Sequence, residues 1–304
     1  MNKWLRRILV TLAVLAVIGG GAYYWMIMES GSPSATFVID MSEVRRLADS
    51  LPGDKALEIR VERIESGSFP ATAVVAGDGW AQTPMTMFSY QLVIPGGSVI
   101  VDTGMPLADA KKMGTMTFDP AAFARMSKAL NDAAIITITH EHGDHIGGFL
   151  IQPNERALLA KARFNKEQVD NAARYNPAMP ADAFKGYSPI AYEKYLALAP
   201  GVVLIRSPGH TPGSQMVYVK TAKGEEFLFT GDVAWHMRNI DEVRERARLV
   251  TMFMLREDRD AVLAQLAALN ALKKSDPNLH IVTGHDPGPV DALQSAGLLV
   301  KGFN

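Results

Sequence analysis

Three of the chain's seven histidines fall in one short run, Thr139-His140-Glu141-His142-Gly143-Asp144-His145. The run follows Ala133 to Ile138, an apolar stretch rich in isoleucine that reads as a buried strand. It precedes Ile146-Gly147-Gly148, so the imidazoles stand where a strand ends and the chain turns. In open α/β sheets, ligands collect at the carboxyl ends of strands. Side chains two apart on an extended segment share a face, so His140 and His142 suit one metal ion. Asp144 and His145, adjacent at the start of the turn, suit a second. The alternative is a solvated polar loop, but three imidazoles beside a carboxylate are costly to hold together without a cation.

Three later strand ends repeat the pattern. Val202 to Ile205 runs into Ser207-Pro208-Gly209-His210-Thr211-Pro212-Gly213, Phe227 to Thr230 into Gly231-Asp232, and Ile281 to Thr283 into Gly284-His285-Asp286. Each apolar run stops at a glycine beside a potential ligand, where a tight turn aims a side chain off the sheet edge. The chain has no cysteine, which excludes disulfides, thiolate metal sites and cysteine nucleophiles. Any metal must therefore be held by His, Asp or Glu, and the absence of thiolate favours a catalytic over a structural site. A formal charge of -1 argues against a general nucleic-acid binder.

Further strands are expected over Leu57 to Ile64, Gln215 to Val219 and His280 to Thr283, with two more between Tyr90 and Val101 around Pro95-Gly96-Gly97. Helices are expected over Asp40 to Leu51, Asp119 to Leu130, Ala157 to Arg174, parts of Pro189 to Leu198, and Arg259 to Lys274. Strands interleaved with helices predict a sheet-rich α/β domain with covered faces.

The N-terminal thirty residues are a separate object. Lys3, Arg6 and Arg7 precede an apolar run from Ile8 to Met28, long enough to span a bilayer, with Tyr23-Tyr24-Trp25 at the far interface. The basic end stays cytoplasmic, which places the rest of the chain outside. A signal peptide cleaved near Gly20-Gly21-Ala22 is the competing reading. The expected division is a membrane anchor or signal segment over 1–30, a linker with a short helix over 31–54, and a catalytic domain over 55–304.

The set His140-Glu141-His142-Gly143-Asp144-His145, His210, Asp232 and His285 closely resembles the metallo-β-lactamase superfamily of hydrolases. Asp102-Thr103-Gly104 after a strand matches that family's early turn, and the likeness covers about residues 55 to 295. The resemblance implies a four-layer αββα sandwich with a dinuclear site at the sheet edges. It implies two divalent ions, most simply zinc: His140, His142 and His210 on one, Asp144, His145 and His285 on the other, and Asp232 bridging. By that resemblance a metal-bridging hydroxide attacks the substrate, Asp144 orients it, and Asp102 orients a ligand imidazole.

Gly284-His285-Asp286 and Pro208-Gly209-His210-Thr211-Pro212-Gly213 look like the acyl-homoserine lactonase branch, which implies a small lactone or related ester as substrate. That branch carries a tyrosine three residues after the bridging aspartate, whereas this chain has Trp235, whose indole donates a hydrogen bond but is neither acid nor base. The alternatives are a glyoxalase II-like thioesterase, a β-lactamase, a mononuclear iron oxygenase of the persulfide dioxygenase kind, and a non-catalytic tethered scaffold. Met85, Met87 and Phe88, in an expected loop, and Met252, Phe253 and Met254 read either as core or as the lining of an acyl pocket. His236 and His280 read as structural, Glu141 as supporting or solvated, and the run Asp241 to Arg248 as a solvated helix face.

Overall fold

The computed structural model describes residues 2–114 and 116–304, so Met1 of the N-terminal segment lies outside the described residues. One sheet contains β1 (Glu58–Pro70), β2 (Gln82–Ile94), β3 (Gly97–Val101), β4 (Met116–Phe118) and β5 (Ile135–Thr137). The second contains β6 (Tyr195–Ala199), β7 (Val202–Arg206), β8 (Gln215–Lys220), β9 (Glu226–Phe229) and β10 (Leu279–Val282). The last strand, β11 (Val300–Lys301), returns to the first sheet, giving the order β11-β1-β2-β3-β5 with β4 also on β1. The second sheet runs β10-β9-β8-β7-β6. β3 and β5 pair in parallel, as do β9 and β10, while the hairpins between them are antiparallel.

Alternation along the strands builds the layers. Val202 and Leu204 of β7 face inward onto Val61 and Leu92 of the first sheet, while Val203 and Ile205 face outward. Strands buried on both faces read as continuous apolar runs, which is why they were visible in the sequence. The helices are α1 (Lys3–Tyr23), α2 (Met41–Ala48), α3 (Ala71–Val74), α4 (Leu107–Met113), α5 (Pro120–Asp132), α6 (Gly143–Leu150), α7 (Glu155–Leu158), α8 (Lys166–Tyr175), α9 (Met237–Glu242), α10 (Arg259–Ser275) and α11 (Pro287–Ser295). Met126 of α5 and Phe149 of α6 cover Ile100 and Ile136 of the first sheet. Val44 of α2 and Leu266 of α10 cover Val203 and Tyr218 of the second. Helix, sheet, sheet, helix is the expected four-layer order.

Four local expectations fail. Ala157 to Arg174 is not one helix: after α7 the chain extends, Ala162 bridges to Ile136, and Asn165 restarts the helix with a capping box to Gln168. Between Pro189 and Leu198 there is no helix, because Tyr195–Ala199 pairs with β7 as a sheet edge. Met85, Met87 and Phe88 lie within β2 rather than in a loop. In the run Asp241 to Arg248, α9 stops at Glu242, Val243 adopts a left-handed turn, and Glu245 and Arg246 are buried rather than solvated.

The N-terminal helix α1 continues as a π-helical turn over Tyr24–Met28. None of the α1 side chains is buried, whereas Ile27 is. The Ile27 carbonyl accepts from Thr72 Oγ1 (3.1 Å) and Gly77 N (3.0 Å), so the apolar run ends by joining the body.

Candidate metal centre

All seven predicted ligands meet at one end of the two sheets. The chain leaving β5 carries His140 and His142; His142 caps α6, and Asp144 and His145 occupy its first turn. The β7–β8 turn brings His210, a 3-10 turn over Gly231–Val233 after β9 brings Asp232, and the end of β10 brings His285. The donor atoms form two groups: His140, His142, His210 and Asp232, then Asp144, His145, Asp232 and His285, each within 4.8 Å of one another. His142 Nδ1 lies 3.0 Å from His140 Nε2 and 2.9 Å from His210 Nε2. A tetrahedral ion bonded at 2.0–2.1 Å holds its nitrogens about 3.3 Å apart, close to this spacing. Asp232 stands between the groups, 3.3 Å from His210 Nε2 by one oxygen and 3.0 Å from His285 Nε2 by the other.

The donors fit a pair of cations. Among the described residues His145 Nε2 is buried without a hydrogen-bond partner, and Asp232 Oδ1, though 3.0 Å from His285 Nε2, makes no aligned hydrogen bond; both face the cluster. An orphaned buried donor or acceptor costs roughly 1–3 kcal/mol, so such a pair points to a ligand. Burial, and then the charge of His145, hold His140 well below the usual imidazole range. Burial and then His210 do the same to His142, so both are neutral and ready to coordinate. Burial works against charge on Asp232, yet His285, His145 and His140 hold its carboxyl well below the usual range. Imidazole and carboxylate without thiolate suit zinc, iron, manganese or cobalt.

A supporting layer fixes the imidazoles. Asp102, in a left-handed conformation (φ 60°), accepts from Thr139 N at 2.7 Å and lies 2.9 Å from His145 Nδ1. The Thr86 carbonyl lies 3.1 Å from His285 Nδ1. Glu141 is not among the donors. Buried, it accepts from Thr211 Oγ1 (2.8 Å) and Gly213 N (3.1 Å), tying the β5 loop to the His210 loop. Gly284 is required by space, since a Cβ there would lie 2.3 Å from Asp232 Oδ1. His236 caps α9 through its side chain and sits 3.2 Å from Asp286, and His280 packs on Phe227, so both are structural.

One supporting residue escaped the sequence reading. Glu257 meets His210 Nδ1 and is itself paired with the buried Arg246. Arg246 also lies over the Trp235 ring, 4.8 Å from its centroid. Trp235 Nε1 donates to Asp232 Oδ2 at 2.7 Å. Glu257 lies 47 residues from His210 in a charged stretch, and nothing in its local pattern distinguishes it from a solvated residue.

The cluster floors a cavity of about 520 Å³. Phe69, Met85, Met87, Met105, Trp235 and Leu255 give it an apolar wall, and Tyr175 stands over the His142 ring at 4.4 Å. Phe88 turns away into the core between the sheets. Leu249–Leu255 forms a π-helical turn in which Met252, Phe253 and Met254 are exposed, so the core reading fails there.

The model of the metallo-beta-lactamase superfamily matches residues 85–285, and the chain belongs to that superfamily. It is accordingly a metallo-hydrolase of ester bonds, similar to lactonases. It is 25% identical over 174 residues to an N-acyl homoserine lactonase of Bacillus cereus, covering 52% of this chain and 68% of that protein. An N-acyl homoserine lactone hydrolase solved with N-hexanoyl-L-homoserine at its catalytic metal centre has the same fold (TM-score 0.60, 18% identity, 79% of this chain and 96% of that one). So does a Bacillus thuringiensis lactonase variant solved with N-decanoyl-L-homoserine (TM-score 0.60, 19% identity, 79% and 96%).

Proposed function

We propose that the chain is a membrane-anchored lactonase that uses two divalent ions, most simply zinc, to open a lactone or related ester outside the cytoplasm. The observation that carries the reading is the pair of donor groups sharing Asp232 at the floor of an apolar cavity. His140, His142 and His210 would hold one ion, Asp144, His145 and His285 the other, and Asp232 both. Such ions supply an activated water at neutral pH and a Lewis acid for the substrate carbonyl.

The chain's own residues position the reactants. Asp144 is only partly buried, heads α6 where the helix N-terminus favours a carboxylate, and lines the cavity, which suits it to orient the attacking water. Trp235 donates to Asp232 and so steadies the shared carboxylate; it carries no proton to or from the substrate. Met85 and Met87 offer an adaptable wall for an acyl chain. The relatives named as N-acyl homoserine lactonases support an N-acyl lactone as the substrate class.

The anchor rests on Lys3–Met28, long and apolar enough to cross a bilayer, with Lys3, Arg6 and Arg7 at its cytoplasmic end. The apolar run continues past Gly20-Gly21-Ala22 through Tyr23 to Met28, which favours an uncleaved span over a signal peptide. The test is metal content together with a panel of lactones, thioesters and β-lactams. Two ions per chain and a lactone preference are expected. A single redox-active iron, or full activity in chelator-stripped protein, would refute the reading.

A further inference from the structure

A short stretch of chain, Arg248 to Leu255, links the foot of the N-terminal helix to the cavity wall. Two contacts put the body against the level of the interfacial aromatics. Trp80, itself 59% exposed, donates from Nε1 to Tyr23 Oη at 3.1 Å. Arg248 lies over the Trp25 ring, 5.1 Å from its centroid, and pairs with Glu29. The next residues after Arg248 form the π-helical turn Leu249–Leu255, where Leu249, Met252 and Phe253 are exposed, Phe253 to 61%. At the far end of the turn Met254 and Leu255 line the cavity that holds the metal ligands. An apolar path thus runs from the helix foot, across the turn, into the site.

Resting on the anchored reading above, we infer that the turn carrying Leu249, Met252 and Phe253 sits in the headgroup layer of the bilayer that holds α1, and that long-chain substrate enters from the lipid. Large exposed apolar side chains beside a membrane helix have one neighbour at that height, and aromatic residues such as Trp80 and Trp25 favour it. Each buried methylene contributes to partitioning, so a ten-carbon acyl chain enters lipid about 200-fold more than a six-carbon one. The path therefore selects amphiphilic lactones with long acyl chains.

The absence of cysteine makes the test direct. Full-length Phe253→Cys carries the only thiol; it is labelled with an environment-sensitive nitrobenzoxadiazole probe and placed in phosphatidylcholine–phosphatidylglycerol vesicles. Leu57→Cys, just before the opposite end of β1 from the cavity wall at Phe69, is the control. For the Phe253→Cys protein, co-flotation with vesicles, a blue shift, and quenching of at least half the probe emission by doxyl-labelled lipid are expected. The probe on the Leu57→Cys protein should stay unquenched. A chain that does not float overturns the anchor and this inference with it. A Phe253→Cys chain that floats with its probe unquenched overturns the inference alone. In the same vesicles, Met252→Ser/Phe253→Ser should lose about tenfold in kcat/KM on N-decanoyl homoserine lactone and stay within twofold on the hexanoyl analogue. Equal losses on both, or none, overturn entry from the lipid. Wild-type protein inactive on both lactones refutes the substrate reading and leaves the depth measurement to decide the docking.

Discussion

Replacing Asp102 with Asn tests whether the site depends on its supporting carboxylate. In the native chain Oδ2 faces His145 Nδ1 at 2.9 Å and accepts from Thr139 Oγ1 at 2.9 Å, while Oδ1 accepts from Thr139 N at 2.7 Å. The carboxylate thus keeps a proton on His145 Nδ1, so that Nε2, toward Asp144 and Asp232, is the nitrogen that gives up its proton when a cation binds. Asn has one acceptor oxygen. If it keeps Thr139 N, its NH2 opposes the Nδ1 proton, and the imidazole must move that proton to Nε2, where a ligand lone pair is needed. Loss of such a supporting group costs 10–100-fold in metal affinity, or about 1.4–2.7 kcal/mol. The Asp144, His145, His285 and Asp232 group should weaken first, so chelator titration of Asp102→Asn should release one ion well before the other. Folding stability should fall by roughly 1–3 kcal/mol in urea melts for the disrupted buried bond. An Asp102→Asn protein that keeps both ions at wild-type affinity would refute the argument.

Glu257→Gln should be more damaging than its charged neighbourhood suggests. It leaves Arg246 buried without its counter-charge, a cost of about 3–5 kcal/mol in denaturant melts, and weakens retention of the ion at His210. Gly284→Ala drives a methyl to 2.3 Å from Asp232 Oδ1 against an ordinary contact of 3.4 Å or more, displacing the shared carboxylate by about 1 Å; kcat should fall on the order of 100-fold, and unchanged kcat would count against Asp232 as the shared ligand. Burial, with Asp144 second, pushes the Glu65 carboxyl up to about 9, and its Oε2 has no partner among the described residues. Between pH 4.5 and 9 the unfolded chain has released this proton and the folded chain has not, so in chelator-stripped protein stability should fall as pH rises through that window. The loss at pH 7 is roughly 3 kcal/mol, and urea melts of Glu65→Gln should lack that slope; identical slopes would show that Glu65 is not the group responsible.

How much of this was legible depends on how local each cause is. The strands β7 to β10 are apolar on both faces, so Val202 to Ile205 and Ile281 to Val282 declare themselves without any partner. The candidate donors follow strand ends directly, and the same pairs that their spacing suggests, His140 with His142 and Asp144 with His145, fall together in the two donor groups. What stayed hidden depends on distant pairing. The break at Leu159 to Asn165 exists because Ala162 finds Ile136, and β6 exists because Tyr195 finds Ile205. The charged run Asp241 to Arg248 has the composition of a solvent face, yet Glu245 receives Arg259 and Arg246 receives Glu257. The Arg246–Glu257 pair lies against Trp235 and His210, Glu245 accepts from Gly31 N at 3.0 Å, and Arg248 lies over Trp25 near the foot of the N-terminal helix. A stretch that reads as plain surface therefore braces the candidate ligand His210 at one end and meets the apolar N-terminal helix near the other. Arg246→Ala should thus weaken retention of the ion at His210 in chelator titrations, whereas Lys166→Ala and Asp170→Ala on the exposed face of the equally charged α8 should leave it unchanged.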